Sequence, residues 1–419
     1  MNIWHITGGN RLRGTLRVQG AKNAVLPIMA ASVVTAAETE LESVPDLRDV
    51  EATLQILRHL GCTAERNGTR VYIDSRGMCR CDVPHTLMRE LRSSVIFLGA
   101  ILARCGEASL SLPGGCELGP RPVDLHLEAL RTLGAKVTER GGDIVCRAGA
   151  LRGARIVLPF PSVGATENAM LSALVAEGET VIHNAAREPE ITDLQTYLQA
   201  LGARVKGAGT STVTVSGMRP RDHVFHTILP DRIAAATLLC ACAASGGDIL
   251  LENAYPSHFL TVLDSLSEAG CDIITKSNAV RLRSDGSLIA PRPIVTRPYP
   301  GFPTDAQPPL MAACLKARGT TVFTENIFAG RYRHAEELRR LGADVTIAGR
   351  VAYISGVERL SGAELTAGDL RGGAAMVVAA LSAEGNSVIY DDRFIERGYD
   401  HLDLALDALG ASIRCETRT

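Results

Sequence analysis

A short phrase recurs six times along the 419-residue chain and constrains its fold more than any other feature. Each copy is an amphipathic helical pattern that ends in Leu-Gly-Ala or a close variant, followed by strand-like residues. The copies lie about 70 residues apart and account for the whole chain. A glycine just past the last apolar position of a helix is typical of a left-handed C-cap, so each phrase predicts a helix that turns into a strand. The glycines are Gly61, Gly134, Gly202, Gly270, Gly342 and Gly410.

A second pattern precedes this phrase in most copies. An Ala-rich apolar run leads through a turn into strand residues, as from Asn168 to Ala176 before Thr180 to His183, and from Ala374 to Ala383 before Ser387 to Tyr390. Because these helices are apolar nearly all round, we expect them to be buried on most faces. Each repeat then contains a core helix, a more amphipathic outer helix and strands. Solenoid repeats are the alternative, but they usually run roughly 20 to 45 residues, so the spacing favours small α/β subdomains.

Composition and charge exclude several classes of protein. The chain is 46% hydrophobic, and its length suits two or more globular domains. A net charge of -2 and 4% aromatic residues disfavour nucleic-acid binding, so an anionic ligand needs locally placed cations. No stretch pairs a basic region with a long apolar run, and apolar segments stop short of the roughly 18 residues of a bilayer span. We expect a cytoplasmic protein that binds neither membranes nor nucleic acid.

The eleven cysteines are scattered and odd in number. The closest pairs, Cys79 with Cys81 and Cys240 with Cys242, miss the spacing of zinc and redox sites. We therefore expect reduced thiols, most of them buried as small hydrophobes, and no metal site.

Gly20–Ala24 lies between two β-like stretches and the first buried helix. The stretches Trp4–Thr7 and Leu16–Gln19 are predicted to form a hairpin. A lysine near a helix start, as Lys22 is, most often carries a solvated charge and opposes the helix dipole. The adjacent Asn23 and the glycine-flanked turn instead favour an anion held by the ammonium group and the helix N-terminal amides.

The segment Leu112–His126 is so rich in glycine and proline that it is predicted to be an exposed loop. Cys116 lies in this loop. A single cysteine is usually a packing residue, but one in a glycine-rich loop gains little from burial and can approach a ligand. Nearby cations there would lower its pKa.

Two more segments place small polar residues at predicted helix starts. In Pro161–Asn168, Ser162 or Thr166 is expected to cap a buried helix. In Pro300–Gln307, Asp305 follows Pro-Thr, which is typical of a helix N-cap.

The six units and these segments resemble the enolpyruvyl transferases along the whole chain. The resemblance implies an α/β fold, a two-domain inside-out α/β barrel built from six repeated units, with helices inside and sheets outside. It implies one domain of residues 22–229, which carries the cysteine loop, and a second of residues 1–21 and 230–419. The active site is then expected in the cleft between them.

The resemblance also implies residue roles. Asp305 is expected to accept the proton of a sugar 3-hydroxyl, and Cys116 to act as general acid or in product release. Lys22, Arg121 and Arg397 are expected to hold phosphate and carboxylate groups while charge shifts. Substrate contacts are implied for Lys22, Asn23, Arg92, Arg121, Pro122, Val123, Asp124, Leu125, Ser162, Val163, Gly164, Thr304, Asp305, Ile327, Arg331 and Arg371.

Four of the arginines, Arg92, Arg331, Arg371 and Arg397, would singly be surface ion pairs. In the family pattern these arginines converge on the cleft. Guanidinium groups are suited to bind phosphate and carboxylate oxygens there. Two places depart from that pattern: Ala234–Ala236 stand where Glu and Gly are common, and Ala329–Gly330 replace a usual Glu-Asn before Arg331.

As a function, the resemblance implies transfer of the enolpyruvyl group of phosphoenolpyruvate to the 3-hydroxyl of UDP-N-acetylglucosamine, with release of phosphate and without cofactor or metal. This is the first committed step of peptidoglycan synthesis. Three alternatives are weighed against it: a related enzyme that uses shikimate 3-phosphate, a catalytically silent relative that binds a UDP-sugar, and an RNA-modifying enzyme built from similar units. The charge and the absence of a basic face disfavour the last.

Overall fold

The computed structural model describes residues 1–90, 94–111 and 123–418. These residues form two compact units. The middle unit consists of residues 20–229, and the terminal unit of residues 1–19 together with 230–418. The N-terminal segment therefore belongs with the second half of the chain.

The strands are short and alternate with helices throughout. Up to residue 229 they are β1 (Asn2–Thr7), β2 (Leu12–Arg17), β3 (Glu38–Glu42), β4 (Thr63–Asn67), β5 (Arg70–Asp74), β6 (Asp82–Val83), β7 (Glu107–Ser111), β8 (Lys136–Arg140), β9 (Asp143–Arg147), β10 (Arg155–Val157), β11 (Thr180–His183), β12 (Ala203–Lys206), β13 (Thr212–Met218) and β14 (His223–Thr227). Beyond it they are β15 (Gly247–Glu252), β16 (Asp272–Lys276), β17 (Ala279–Ser284), β18 (Ile294–Val295), β19 (Thr320–Thr324), β20 (Asp344–Ala348), β21 (Val351–Ser355), β22 (Glu364–Ala367), β23 (Asn386–Asp391) and β24 (Ser412–Thr417).

The α-helices fall between these strands. They are α1 (Lys22–Ala31), α2 (Arg48–Leu60), α3 (His85–Glu90), α4 (Phe97–Cys105), α5 (Asp124–Thr132), α6 (Val163–Ala173), α7 (Pro189–Ala200), α8 (Arg232–Ser245), α9 (Leu260–Glu268), α10 (Gln307–Ala313), α11 (Ala335–Arg340), α12 (Leu370–Ser382) and α13 (Leu402–Ala408).

Across the described residues the strands build six four-stranded sheets of one pattern. The middle unit has the orders β14-β3-β5-β4, β6-β7-β9-β8 and β10-β11-β13-β12. The terminal unit has β16-β17-β15-β2, β18-β19-β21-β20 and β22-β23-β1-β24. Each sheet contains one parallel pair at an edge and two antiparallel pairs. The predicted six α/β units are thus confirmed.

Each unit has its own hydrophobic core, and the most apolar helices lie within it. In the terminal unit α8, α10 and α12 pack against one another, and in the middle unit α4 packs against α1 and α6. Nearly every residue of α1, α8, α10 and α12 is buried, as are most residues of α4 and α6. The helices α2 and α5 instead alternate buried and exposed positions, as expected for outer helices. The Ala-rich runs begin earlier than the apolar pattern indicated, at Val163 and Leu370, because polar capping residues start both helices.

The six repeated glycines follow the outer helices as predicted. Their φ angles lie between +92° and +103°, the left-handed region that glycine adopts without strain. At Gly202 a side chain would also collide with the chain, since an added Cβ would lie 1.9 Å from the carbonyl oxygen of Arg219.

The predicted N-terminal hairpin is wrong. Strand β1 pairs with β23 and β24, whereas β2 pairs in parallel with β15 of another sheet. The glycines after β1 look like a hairpin turn in sequence, but Gly8 and Gly9 donate their amides to Gly385 and Leu381 instead. The partners lie hundreds of residues away, where local patterns carry no information about them.

No helix in the described part of the chain is both long and apolar enough to cross a bilayer.

Candidate active site

At the start of α1, Lys22 is buried and bound to an acid that the sequence analysis missed. Its Nζ lies 2.7 Å from Oδ2 of Asp49, which follows the first residue of α2 and is 1% exposed. Asn23 beside it is exposed. The pair exists because α1 packs against α2, a contact that spacing along the chain does not reveal. Asp49 holds the ammonium group at the N-terminus of α1, where the helix amides also favour anions.

The start of α6 is capped as predicted. The hydroxyl of Ser162 accepts a hydrogen bond from the amide of Ala165 at 3.4 Å. Thr166 uses its hydroxyl elsewhere, donating it to Ser162 O and accepting from Ala186 N. Val163 and Gly164 lie in the first turn of α6, and both are half-buried.

A second helix start lies against this one. A side chain at Gly164 would place its Cβ 2.7 Å from Cε1 of His126, so any larger residue here would have to displace the His126 ring. The His126 ring also contacts Asn168, with 2.7 Å between Nδ1 and the side-chain nitrogen. Asp124 and Leu125 lie at the start of α5, which packs against α6, and their role in substrate binding stays a prediction.

The terminal unit holds Asp305 between two buried arginines. Arg331 Nη2 donates to Asp305 Oδ1 at 2.8 Å, and Arg371 Nη2 donates to Oδ2 at 3.1 Å. The arginine side chains are 2% and 3% exposed, whereas that of Asp305 is 26% exposed. Asp305 does not cap a helix, contrary to the reading of its segment in isolation, because both oxygens face these guanidinium groups. The surface-pair role considered for Arg331 and Arg371 is excluded as well.

Arg371 keeps unused donors at this place. Its Nε and Nη1 are buried and have no hydrogen-bond acceptor among the described residues. The guanidinium lies over the ring of Tyr399, 5.2 Å from its centroid. Asp369 fixes the backbone, since its Oδ1 accepts the amides of Arg371 and Gly372 at the start of α12. Buried N–H groups of this kind suit an anionic ligand.

Neighbouring buried groups hold Arg331 in place. His334 lies 3.0 Å from the carbonyl oxygen of Arg331 through Nδ1. Burial lowers the pKa of His334 to about 4, so the ring is neutral at pH 7 and Nδ1–H donates to that carbonyl. The Arg331 Nε also donates to the hydroxyl of Thr304 at 3.1 Å.

The remaining predicted residues of this unit lie on turns. Arg397 is half-buried and ends a single 3-10 turn, Ile395–Arg397, which Asp391 fixes by accepting the amides of Phe394 and Ile395. Ile327 is half-buried on the loop after β19, where Glu325 accepts its amide at 2.8 Å.

The two departures from the family pattern leave their surroundings ordered. Asp231 caps α8 by accepting the amides of Ile233 and Ala234, so Ala234–Ala236 continue a regular helix. With Ala329–Gly330 before it, Arg331 still reaches both Thr304 and Asp305.

Four predicted site residues lie outside the described ranges: Arg92, Cys116, Arg121 and Pro122. The ten described cysteines are all free thiols, and most are buried. Burial raises the pKa of several of them to about 11 or 12, among them Cys62, Cys146 and Cys314. Cys79 is exposed. Among the described residues no group of three or more His, Cys, Asp or Glu side chains is arranged to hold a metal ion.

The six-unit architecture is the fold of the enolpyruvyl transferases. It matches the crystal structure of the enolpyruvyl transferase NikO from Streptomyces tendae, with a TM-score of 0.88 and 26% identity over 100% of this chain and 99% of that one. Residues 6–405 match the family described as EPSP synthase (3-phosphoshikimate 1-carboxyvinyltransferase), and the chain belongs to that family.

Two relatives match along nearly their whole length. A protein of Caldanaerobacter subterraneus subsp. tengcongensis named UDP-N-acetylglucosamine 1-carboxyvinyltransferase 2 is 44% identical, over 99% of both chains. One of Carboxydothermus hydrogenoformans named UDP-N-acetylglucosamine 1-carboxyvinyltransferase 1 is 45% identical, over 99% of this chain and 98% of the relative. The family resemblance and the assignment as a transferase are thereby confirmed.

Proposed function

We propose that this chain transfers the enolpyruvyl group of phosphoenolpyruvate to the 3-hydroxyl of UDP-N-acetylglucosamine and releases phosphate, the first committed step of peptidoglycan synthesis. The observation that carries the proposal is the 44% identity along 99% of both chains to a relative named for this acceptor. As that pathway's first step, the reaction supports cell-wall formation, cell shape and division, and we place it in the cytoplasm. We expect no nucleic-acid or membrane partner.

The proposed reaction is an addition followed by an elimination. The sugar oxygen bonds to C2 of phosphoenolpyruvate while C3 gains a proton, for which Cys116 is the proposed general acid, and Asp305 accepts the proton of the hydroxyl. The C2–oxygen bond to phosphate then breaks, phosphate leaves with the electron pair, and C3 loses a proton to restore the double bond. Asp305 suits the role of base because its side chain stays 26% exposed while Arg331 and Arg371 fix the direction of both oxygens.

The anionic groups of the two substrates need cations from this chain. Arg371 offers two buried N–H groups without acceptors among the described residues, and Lys22 offers an ammonium at the start of α1. We propose that these, with Arg121 and Arg397, hold the carboxylate and phosphate as charge shifts. The starts of α5 and α6 support a diphosphate and uracil site at Val123–Leu125 and Ser162–Gly164. Binding of both substrates between the two units stays a prediction.

The first test measures phosphate release from phosphoenolpyruvate with UDP-N-acetylglucosamine, with shikimate 3-phosphate and with no acceptor. We expect release only with the UDP-sugar. Turnover with shikimate 3-phosphate alone would favour the sister activity, and binding of the UDP-sugar without any turnover would favour the catalytically silent relative.

The second test concerns Cys116 and the epoxide fosfomycin, which alkylates the matching cysteine of this family. We expect one covalent adduct on Cys116 by intact mass and peptide mapping, because thiolate reactivity depends on a lowered pKa. The adduct should form faster when UDP-N-acetylglucosamine is present. Cys116→Asp should lose the adduct and keep much of the activity. Cys79→Ser is the matched control, because Cys79 is exposed, as Cys105 also is among the described thiols. Label on Cys79 in the wild type would remove Cys116 from the mechanism.

A further inference from the structure

Glu325 is a buried carboxylate at the end of β19 that the proposed reaction does not use. It is 2% exposed. Its Oε1 accepts the amides of Ile327 at 2.8 Å and Phe328 at 3.0 Å, which closes the loop after the strand. Its Oε2 accepts the hydroxyl of Thr304 at 2.9 Å. Every acceptor oxygen of this buried group is therefore in use.

These contacts continue to Asp305. Thr304 Oγ1 accepts Nε of Arg331 at 3.1 Å, and Nη2 of the same guanidinium donates to Asp305 Oδ1 at 2.8 Å. The direction of each bond is fixed by chemistry, because an ionised carboxylate only accepts and a guanidinium only donates. The single hydroxyl proton of Thr304 must therefore go to Glu325, which leaves a lone pair for Arg331.

We propose that Glu325 is a positioning residue for the base. Through Thr304 it fixes the rotation of the Arg331 guanidinium, and the planar guanidinium in turn fixes the direction of Asp305 Oδ1. Arg331 has no freedom to compensate, since it is 2% exposed and its backbone carbonyl is held by His334. The proposal deepens the function proposed above and rests on it, because it requires enolpyruvyl transfer with Asp305 as the base.

Glu325→Gln and Thr304→Val separate positioning from folding. In Glu325→Gln the amide oxygen can still accept the two loop amides, but the amide NH₂ then faces Thr304, whose proton loses its acceptor. Thr304→Val removes the hydroxyl at nearly constant shape, and Thr304→Ser restores it. Glu358→Gln is the matched control, since Glu358 is exposed in the same unit.

Wild-type enzyme is first assayed with UDP-N-acetylglucosamine and with shikimate 3-phosphate, and the acceptor that it uses serves for all variants. We expect Glu325→Gln and Thr304→Val each to lower kcat by roughly 10- to 100-fold, with acceptor KM within about threefold. The double variant should lose no more than the worse single variant, because both break one relay. Glu358→Gln should keep most of the activity, and Thr304→Ser should recover much of the kcat that Thr304→Val loses.

Three results would overturn the positioning role: an unchanged kcat in Glu325→Gln, additive losses in the double variant, or a lower unfolding temperature that accounts for all lost activity. A wild type that uses shikimate 3-phosphate would overturn the proposed acceptor and leave the relay testable on that substrate. A wild type that uses neither acceptor would overturn both proposals.

Discussion

At the residue scale, each of the two units places buried charges against counter-charges. Lys22 lies against Asp49, and Asp305 lies between Arg331 and Arg371. A buried ion pair gives little net stability, yet removing one partner strands the other charge in a poorly solvated place. Single substitutions here therefore change folding as well as chemistry, and only paired substitutions separate the two effects.

Lys22→Ala and Asp49→Ala should each destabilise the middle unit by roughly 3–5 kcal/mol, because each removes the opposite charge that lies 2.7 Å from a buried charged group. The double variant should lose clearly less free energy of unfolding than the sum of the losses in the two single variants. Phosphoenolpyruvate use should stay lost in every variant that lacks Lys22. Urea unfolding followed by circular dichroism measures the free energies, with phosphate release as the second readout. Additive destabilisation would show that the two side chains do not act as a pair.

At the element scale, the repeated glycines end the outer helices but differ in what surrounds them. Gly134 and Gly202 both lie in the middle unit at φ of +98° and +102°. An added Cβ would meet its nearest neighbour, Ala150 O, at 3.9 Å in the first case and Arg219 O at 1.9 Å in the second. The two glycines therefore have nearly equal backbone conformations but unequal room for an added side chain.

We expect Gly134→Ala to cost about 1–2 kcal/mol, the strain of a left-handed alanine. Gly202→Ala should lower the free energy of unfolding by more than Gly134→Ala does, because the backbone at Arg219 must also move aside. Urea unfolding of the two variants gives the comparison directly. Equal losses of stability in the two variants would mean that the chain after β13 moves aside at no energetic cost, and that the close contact at Gly202 contributes nothing.

At the scale of the whole molecule, the two units carry buried titratable groups that oppose each other in pH dependence. Burial raises the pKa of Glu167 in the middle unit from 4.5 to about 8, with Glu190 and Glu188 adding to the effect. Its stabilising contribution is present below about 4.5 and is lost as pH rises through about 8. His334 in the terminal unit has its pKa lowered from 6.5 to about 4, so its contribution is present above 6.5 and is lost as pH falls.

In the wild type, the stability of the middle unit should fall as the pH rises from 5 to 9. Glu167→Gln should make this fall smaller, because an amide stays neutral. The gain over wild type should grow with pH by at most about 1.4 kcal/mol per pH unit. Circular dichroism in urea follows both units, while fluorescence of Trp4, the single tryptophan, reports the terminal unit and should not change. Glu128→Gln, an exposed substitution on α5, is the control. Parallel pH curves for wild type and Glu167→Gln would contradict the assignment.

The sequence by itself determined the repeating architecture, because its signals are local. Apolar periodicity marked the core helices, and a glycine such as Gly342 marks a helix end through its own φ angle. Ser162 was likewise predictable as a cap, since its partner, the amide of Ala165, lies three residues away.

Only the tertiary structure decided which distant groups meet. The partners of β1 and β2, the acid that pairs with Lys22, and the relay from Glu325 to Asp305 all join segments whose separation in sequence carries no periodic signal. Asp305 looked like a helix cap because the capping pattern is local, whereas the two arginines that hold it lie 26 and 66 residues further on. Packing of the inner helices brings them together, and that packing depends on the whole core at once.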